Sequence, residues 1–356
     1  MNELEKQLHY PLGEALPEPG HCSTVAPGVK WIRMSLPFVL NHINLWLLRD
    51  AIDGVEGWSI VDCCIHREDA KAQWESLFSN ELDGLPVLRV IVTHMHPDHI
   101  GLAHWLCERW DAPLYISATD FLVAHMACSG QDTFSGERTA AFYAAHGLND
   151  AQTRAKVMDR TSYFSSLVPS VPDQHHRLLD GLTLRIGAHA WTCISGYGHA
   201  PEHMALYCQE LGLLIGGDMM LPRISTNVSV YEQEPEADAL KLFLHSIDRF
   251  KALPASTLVL PSHGKPFTGL HIRIQQLHDH HDERLQEVME ACTRTPCSAA
   301  DVLPVLFKRP LDFHQTTFAI GEAVAHLHTL WHRGDLVRQR SPDGVYRFTT
   351  SESRRP

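Results

Sequence analysis

The chain has 356 residues, and at about 150 residues per domain this length predicts two domains. Hydrophobic residues make up 44% and charged residues 20%, a balance that excludes a disordered chain, a collagen and a coiled coil. The formal net charge of −12 disfavours a protein that binds nucleic acid over its whole surface. Histidine stands out, with 25 copies, and it is the commonest metal ligand among side chains.

The first half of the chain predicts an irregular arm followed by alternating strands and helices. Residues 1–28 are rich in Pro, Gly and Glu, which is typical of an irregular segment. Residues 118–168 carry helix-like runs, which predicts a helical insertion between strands. The elements expected between these segments are strands at 29–34, 44–48, 58–65, 88–93 and 114–116, and helices at 68–79 and 98–110.

The second half returns to strand patterning from His176, with Asp-Gly and Leu-Gly turn signals. An amphipathic helix is predicted at 235–253, and a short strand at 257–260. Three helical runs follow, and the chain closes with two strand-like runs joined by a Pro-Asp-Gly turn. This order is that of a winged helix. Residues 275–356 contain nearly equal numbers of basic and acidic residues, which favours a packing role for this segment over DNA binding.

A dense cluster of polar side chains directly follows the strand predicted at 88–93. The run THMHPDH contains three imidazoles and a carboxylate, those of His94, His96, Asp98 and His99. A turn at the end of a strand can direct all four side chains towards one point. Imidazole and carboxylate suit zinc, iron or manganese. A polar loop with chance histidines does not account for this order, spacing and placement, so the run predicts a metal site.

Three later residues have a similar setting, each at the end of an apolar run. They are His199 in GYGHAPEH, Asp218 in LLIGGDMM and His263 in LVLPSHGKPF. The two glycines before Asp218 allow backbones to approach closely. An ionised acid beside apolar residues needs a compensating charge, which a divalent metal would supply.

These motifs together resemble the metallo-β-lactamase-fold superfamily of metallohydrolases over residues 30–270. The C-terminal segment resembles the winged-helix tail of a glyoxalase-II-like branch, which also contains a ribonuclease. The resemblance implies an α/β fold, an αββα sandwich with its site at one sheet edge, and a small C-terminal winged-helix-like domain. We therefore predict an N-terminal arm at 1–28, a catalytic domain at 29–272 with a helical lid at 118–168, and the winged-helix-like domain at 273–356.

The resemblance also implies a binuclear metal site. Two divalent ions would each be held by three side chains, the first by His94, His96 and His199 and the second by Asp98, His99 and His263. Asp218 would bridge the two ions. Zinc is the expected metal, with iron or manganese as alternatives.

Two further residues are implied to support these ligands from outside the ligand set. Asp62 matches an acid that ends an early strand in the family, and it would orient a ligand through a hydrogen bond. His203 also lies in GYGHAPEH, so it competes with His199 for the ligand position. The family pattern favours His199, with His203 nearby or on the adjacent strand.

The chemistry expected of two close metals is hydrolysis. A bridging water would lose its proton near neutral pH and act as the nucleophile. Asp98 would be the catalytic side chain that orients it and passes its proton onward. Neither a GxSxG motif nor a P-loop occurs in the sequence, so no Ser nucleophile or nucleotide-phosphate loop is predicted.

Three functions are compatible with such a site. We predict a binuclear metal-dependent hydrolase of an ester, thioester or lactone, with the helical insertion as a lid over an acyl pocket. The alternative is a phosphodiesterase or ribonuclease, and the third is a binding module that keeps the site without turnover. The net charge of −12 favours the acyl substrate. True β-lactamases of this fold lack an acid at the bridging position, which disfavours antibiotic hydrolysis.

The remaining expectations concern surroundings and partners. Weak candidates for substrate contacts are Tyr143, Tyr163, Arg223, Ser225 and Tyr231. The sequence has no signal peptide and no apolar stretch of membrane-spanning length, which predicts a cytoplasmic protein with reduced thiols and no membrane partner. We expect a small-molecule acyl substrate rather than a nucleic acid. A homodimer is consistent with the sequence.

Overall fold

The computed structural model describes residues 3–129, 134–160 and 162–351, in which strands and helices alternate. The strands are β1 (Cys22–Ala26), β2 (Val29–Ser35), β3 (His42–Ile52), β4 (Val55–Val61), β5 (Val87–Ile91), β6 (Leu114–Ser117), β7 (His176–Leu178), β8 (Thr183–Ile186), β9 (His189–Gly196), β10 (His203–Cys208), β11 (Leu213–Gly217), β12 (Leu258–Pro261), β13 (Leu336–Arg340) and β14 (Tyr346–Thr350). The α-helices are α1 (Glu68–Asn80), α2 (Pro97–Ile100), α3 (Ala103–Trp110), α4 (Ala118–Cys128), α5 (Gly136–Ala145), α6 (Ala151–Met158), α7 (Tyr163–Leu167), α8 (Ala239–Asp248), α9 (Leu270–Arg294), α10 (Ala299–Leu306) and α11 (Phe313–His332). Short 3-10 helices occupy Glu5–Gln7 and Arg249–Ala252.

The chain divides into two compact units, each built from separate stretches of sequence. The first comprises Met1–Ser129, Tyr163–Thr226 and Ile247–Ile274, and the second comprises Gly130–Ser162, Asn227–Ser246 and Gln275–Pro356. Much of the segment predicted as a helical insertion thus groups with the C-terminal residues. The predicted division into arm, catalytic domain, lid and C-terminal domain stays a prediction.

The first unit is built on two β-sheets. Strands β1 to β7 form a seven-stranded sheet in chain order, and β12, β11, β10, β9 and β8 form a five-stranded sheet in that order. Side chains of both sheets share one hydrophobic cluster, in which Trp31, Trp46 and Trp191 are at most 1% exposed. Burial of such aromatic rings is a main source of stability. Helix α3 packs on β5 and α4 packs on β6, which agrees with the predicted α/β class.

Strand direction brings distant parts of the chain to one edge of these sheets. Strands β4 and β5 are parallel neighbours, and so are β11 and β12. The carboxyl ends of parallel neighbours lie at the same edge, where ligands commonly bind in α/β proteins. Strand β3 is antiparallel to β4, so its first residue, His42, lies at that edge as well.

The second unit is mainly helical. Its C-terminal part contains α10, α11 and the β13–β14 hairpin after the end of α9. Both later helices begin with a capping box, Ser298 with Asp301 and Asp312 with Gln315, which satisfies the free N–H groups of the first turn. The observed order of helices and hairpin matches the expected one, while the winged-helix assignment stays a prediction.

Three elements differ from the sequence-based expectations. The helix predicted at 98–110 is two helices, α2 and α3, because Leu102 between them leaves the helical conformation (φ −101°, ψ 8°). The helix predicted at 235–253 begins only at Ala239. Strand β1 lies within the predicted arm, and it has no buried face that would give it a recognisable pattern. Among the described residues, no helix is long and apolar enough to cross a membrane.

Candidate metal centre

The parallel strands β4 and β5 position the first part of the site. Val61 pairs with Ile91, so Asp62 and Thr93 follow the two strands side by side. Asp62 has a left-handed backbone (φ 62°), and its carboxylate accepts hydrogen bonds from the Thr93 backbone nitrogen (2.8 Å) and hydroxyl (2.9 Å to Oδ2). Its Oδ2 also lies 2.8 Å from His99 Nδ1. This contact orients the His99 ring and leaves Nε2 to face the interior of the site.

Three imidazoles form one group of ligand atoms. His94 Nε2 lies 2.9 Å from His96 Nδ1 and 3.3 Å from His199 Nε2, and the last two atoms are 3.1 Å apart. His94 and His96 come from the loop after β5, and His199 follows β9 on the other sheet. These residues are the ones that the resemblance implies for the first metal.

A second group contains two imidazoles and a carboxylate. His263 Nε2 lies 3.4 Å and His99 Nε2 lies 3.8 Å from Asp98 Oδ2. The second imidazole nitrogen of His263, Nδ1, lies 2.7 Å from the carbonyl oxygen of His42, which fixes the ring. These side chains are the ones implied for the second metal.

Asp218 lies between the two groups. Its Oδ2 is 3.2 Å from His199 Nε2, whereas its Oδ1 is 3.5 Å from His99 Nε2 and 3.4 Å from His263 Nε2. The two carboxylate oxygens therefore face different sets of nitrogens. This is the arrangement expected of a bridging ligand.

Gly217 allows Asp218 to reach this position. Its backbone is left-handed (φ +53°), and an added Cβ would lie only 2.1 Å from His203 Nε2. The Asp218 backbone nitrogen donates to that same His203 nitrogen over 3.3 Å. His203 is the first residue of β10 and is fully buried. It contacts the backbone of Asp218, and it belongs to none of the metal-donor sets found among the described residues.

The donor atoms fit a divalent metal. Two nitrogens that each lie 2.0–2.1 Å from one tetrahedral zinc ion are about 3.3 Å apart. The nitrogen–nitrogen distances within the first group are close to this value. His99 Nε2 and Asp218 Oδ1 are buried and have no hydrogen-bond partner among the described residues. Such atoms are costly to bury unless something else binds them. In three sets of residues, the possible ligand atoms all lie within 4.8 Å of one another. These sets are His94 with His96 and His199, His94 with His99 and Asp218, and Asp98 with His99 and His263.

The fold around this site has clear counterparts among known proteins. A family model described as the metallo-beta-lactamase superfamily matches residues 40–263. The chain belongs to this superfamily. A second model, described as a metallo-beta-lactamase-like C-terminal domain, matches residues 285–351. The predicted family and fold are confirmed, while the glyoxalase-II-like branch stays a prediction.

Individual relatives of the superfamily agree with this assignment. A beta-lactamase domain protein from Burkholderia ambifaria is 51% identical, covers 98% of this chain and 100% of its own, and has a TM-score of 0.93. A metallo-beta-lactamase family protein from Thermus thermophilus is 27% identical, covers 92% of this chain and 100% of its own, and has a TM-score of 0.77. The probable metallo-hydrolase YqjP of Bacillus subtilis is 23% identical over 84% of this chain and 91% of its own.

The two ligand groups differ in their charge. Burial and the neighbouring imidazoles lower the pKa of His94 well below its usual range and the pKa of His96 to about 3, which leaves their lone pairs available. Burial also opposes the charged form of His263, but the carboxylates of Asp218 and Asp98 outweigh it and raise the pKa of His263 to about 10. Without metal, the second group thus holds protons that balance its acids.

Asp98 is the most open carboxylate of the site. Its side chain is 19% exposed, compared with 10% for Asp218 and 1% for Asp62. Burial favours its neutral form, but the charges of His99 and His263 prevail and lower the pKa of Asp98 to about 2. Asp98 is therefore ionised at neutral pH.

Four of the five weak candidates for substrate contacts have identified neighbours within the protein. Tyr143 and Tyr231 belong to the second unit, whereas Tyr163, Arg223 and Ser225 belong to the first. Ser225 is half-buried. The contacts of the others are Tyr143 Oη to the Thr317 carbonyl oxygen (3.2 Å), the Tyr163 carbonyl oxygen to Ser166 Oγ (2.7 Å), Arg223 Nε to Glu5 Oε2 (4.0 Å) and the Tyr231 ring to the Phe134 ring (5.1 Å between centroids). Their role towards substrate stays a prediction.

Sequence reasoning missed three residues that orient the site. Thr93 lies between Asp62 and His94, with its hydroxyl 3.0 Å from His94 Nδ1. His42 fixes His263 from the start of β3. Asp120 binds two loop backbones. The only sequence signal near Asp120 is Ser117-Ala-Thr-Asp, and this pattern predicts no more than a helix cap.

Proposed function

We propose that this protein is a binuclear metal-dependent hydrolase that cleaves an ester, thioester or lactone. The observation that carries the proposal is the placement of Asp218. Its Oδ2 lies 3.2 Å from His199 and its Oδ1 lies 3.5 Å from His99, so one carboxylate faces two sets of ligand atoms. The relative YqjP is named a probable metallo-hydrolase, which agrees with this class of reaction.

The two groups of side chains would each hold one divalent ion. His94, His96 and His199 would hold the first, and Asp98, His99 and His263 the second, with Asp218 shared between them. When bound, the metals would lower the pKa of a water molecule and polarise the substrate carbonyl. Zinc suits the mixture of imidazole and carboxylate, and iron or manganese would be accepted by the same donors.

Asp98 would be the proton carrier of the site. Its carboxylate is ionised and partly exposed, so it can accept a hydrogen bond from a water molecule, orient it and pass its proton onward. Asp62 would not share this role, because its carboxylate is buried and occupied by Thr93 and His99.

A carbonyl substrate is favoured over a phosphodiester on grounds of charge. The chain carries a formal net charge of −12, and its C-terminal part has nearly equal numbers of basic and acidic residues. Proteins that bind RNA rely on positive charge to neutralise phosphates. Binding of a small acyl compound does not require a positively charged surface.

A side-by-side assay tests the reaction class. Zinc-loaded enzyme would be given an acyl thioester, a lactone and an activated phosphodiester. We expect turnover of a carbonyl substrate, loss of that turnover in Asp98→Ala, and normal turnover in the control Glu68→Ala, because the Glu68 side chain is 85% exposed. Turnover of the phosphodiester alone would overturn the substrate class and favour a phosphodiesterase. Bound zinc without turnover of any of the three would favour a binding module.

Metal analysis tests the ligand assignment. Wild-type protein is expected to bind two zinc ions, and His94→Ala and His263→Ala are each expected to lose one. A variant that retains two zinc ions with unchanged affinity would contradict the assignment.

A further inference from the structure

We propose that Asp120 is a positioning residue that joins the two loops carrying the first group of histidines. The inference concerns the first metal of the binuclear site proposed above and rests on that proposal. Asp120 itself lies outside the ligand set, in the first turn of α4, and is completely buried.

Each oxygen of the Asp120 carboxylate accepts a hydrogen bond from a different loop. Oδ1 accepts from the Met95 backbone nitrogen over 2.7 Å, and Met95 is the residue between His94 and His96. Oδ2 accepts from the Glu202 backbone nitrogen over 2.6 Å, and Glu202 lies three residues after His199. One side chain therefore fixes the backbones of both loops that supply the three imidazoles.

A second contact strengthens the connection between α4 and the later loop. Thr119 precedes Asp120, and its hydroxyl donates to Glu202 Oε2 over 2.9 Å. The Ser117 hydroxyl lies 3.2 Å from Asp120 Oδ2 and from the Asp120 backbone nitrogen, which holds the carboxylate at the start of the helix. Ser117 thus helps to hold the Asp120 carboxylate in the orientation in which it binds the two loops.

The chemistry of this position requires a carboxylate. Two backbone N–H groups approach the same side chain, and an ionised carboxylate offers an acceptor oxygen to each of them. An amide of equal size offers only one oxygen, so Asp120→Asn would leave one N–H facing an NH2 group. Water cannot replace the lost acceptor, because Asp120 is 0% exposed.

Asp62 and Asp120 serve different parts of the site. Asp62 contacts the His99 ring directly, and His99 belongs to the second group. Among the described residues, Asp120 makes no hydrogen bond to an imidazole, and it acts on the first group through Met95 and Glu202. Loss of a residue that orients metal ligands typically weakens metal binding 10–100-fold. We expect Asp120→Asn to weaken zinc binding by about this factor at the first group only.

The test measures zinc affinity of each group separately, with a chelating dye as competitor. The His263→Ala background retains the first group intact, and the His96→Ala background retains the second. We expect Asp120→Asn to weaken zinc binding about 10–100-fold in the first background and by less than about threefold in the second. The matched control is Asp50→Asn.

Asp50 is a suitable control because it is equally buried but distant. It accepts hydrogen bonds from the Gly187 backbone nitrogen and from Arg89 (both 2.9 Å), so its loss destabilises the same unit. It lies eight residues along β3 from His42, or about 26 Å at 3.3 Å per residue. Asp50→Asn is expected to lower stability but to leave zinc affinity unchanged in both backgrounds.

The outcomes separate this inference from the proposed function. Wild-type protein that binds no zinc would overturn both. Two zinc ions in the wild type, with Asp120→Asn affecting both groups equally or neither, would overturn the positioning role alone. If Asp120→Asn does not fold, hydrogen exchange of the wild type decides. Slow exchange of the Met95 and Glu202 amides supports the role, and exchange as fast as in exposed loops overturns it.

Discussion

The glycine before Asp218 provides a direct test of how the backbone places this ligand. Gly217 has a left-handed backbone, and an added methyl group would lie 2.1 Å from His203 Nε2 and 2.6 Å from Cε1. His203 is 0% exposed and starts a central strand, so its ring has little room to move. In Gly217→Ala, either His203 or the backbone of Asp218 must therefore shift.

Gly212→Ala is the matched control, because it separates backbone strain from the clash. Gly212 has a similar φ of +63° and directly precedes β11, the strand that ends with Gly217. A Cβ added to Gly212 would have no atom within 4 Å. A left-handed conformation costs an alanine roughly 1–2 kcal/mol, and this term applies to both variants. Overpacking adds about 1–3 kcal/mol for Gly217→Ala alone. We expect the free energy of unfolding to fall by about 1–2 kcal/mol in Gly212→Ala and by about 2–5 kcal/mol in Gly217→Ala.

Urea denaturation and zinc analysis of the two variants would measure these effects. Gly217→Ala should also bind less zinc, because a shift of Asp218 affects both ligand groups. Gly212→Ala should bind as much zinc as the wild type. Equal losses of stability in the two variants, together with full zinc content in Gly217→Ala, would refute the reasoning.

Three further predictions concern turnover, metal uptake and acid stability. Asp98→Ala should lower kcat at least about 100-fold, a far larger effect than its effect on folding stability; kinetics with parallel thermal melts would check this, and turnover equal to that of the wild type would contradict it. Zinc affinity should rise with pH, because the neighbouring carboxylates outweigh burial and raise the pKa values of His99 and His263, so zinc must displace the protons on these two imidazoles. Calorimetry in buffers of different ionisation enthalpy should detect the release of up to two protons on zinc binding. Zinc binding without proton release would contradict the assigned charges. In the second unit, burial lowers the pKa of His146 to about 3 and that of His328 to about 4. From pH 6.5 down to about 4 the unfolded chain binds protons that the folded chain does not, so stability should fall by roughly 1.4 kcal/mol per pH unit for each histidine. Urea denaturation from pH 7 to 5 should show a shallower slope in His328→Gln than in the wild type, and identical slopes would argue against this role.

The residues brought together at the sheet edge are mostly those with a strong local pattern. The run THMHPDH follows an apolar strand, and its spacing already confines His94, His96, Asp98 and His99 to one turn. Asp218 was recognisable because two glycines and an apolar strand precede it. The positions of these residues at strand ends and the family resemblance both predicted that they would lie together. The structure places all four residues of the THMHPDH run in the two ligand groups.

The supporting residues could not be recognised in this way. Asp120 binds Met95 and Glu202, which are 25 and 82 residues away along the chain, and His42 binds His263 across 221 residues. A carboxylate in the first turn of a helix has the same sequence appearance whether it caps the helix or fixes a distant loop. Only the folded chain distinguishes the two roles.

The sequence by itself determined the candidate ligands and the order of most of the elements, because both depend on residue type and on short-range periodicity. The tertiary structure decided which nitrogen of each histidine faces the site, which oxygen of Asp218 faces each group, and how the chain divides into two units. These features depend on strand pairing and on buried hydrogen bonds between distant residues. Such contacts form only when the two sheets pack and exclude water, so they leave no local pattern in the chain.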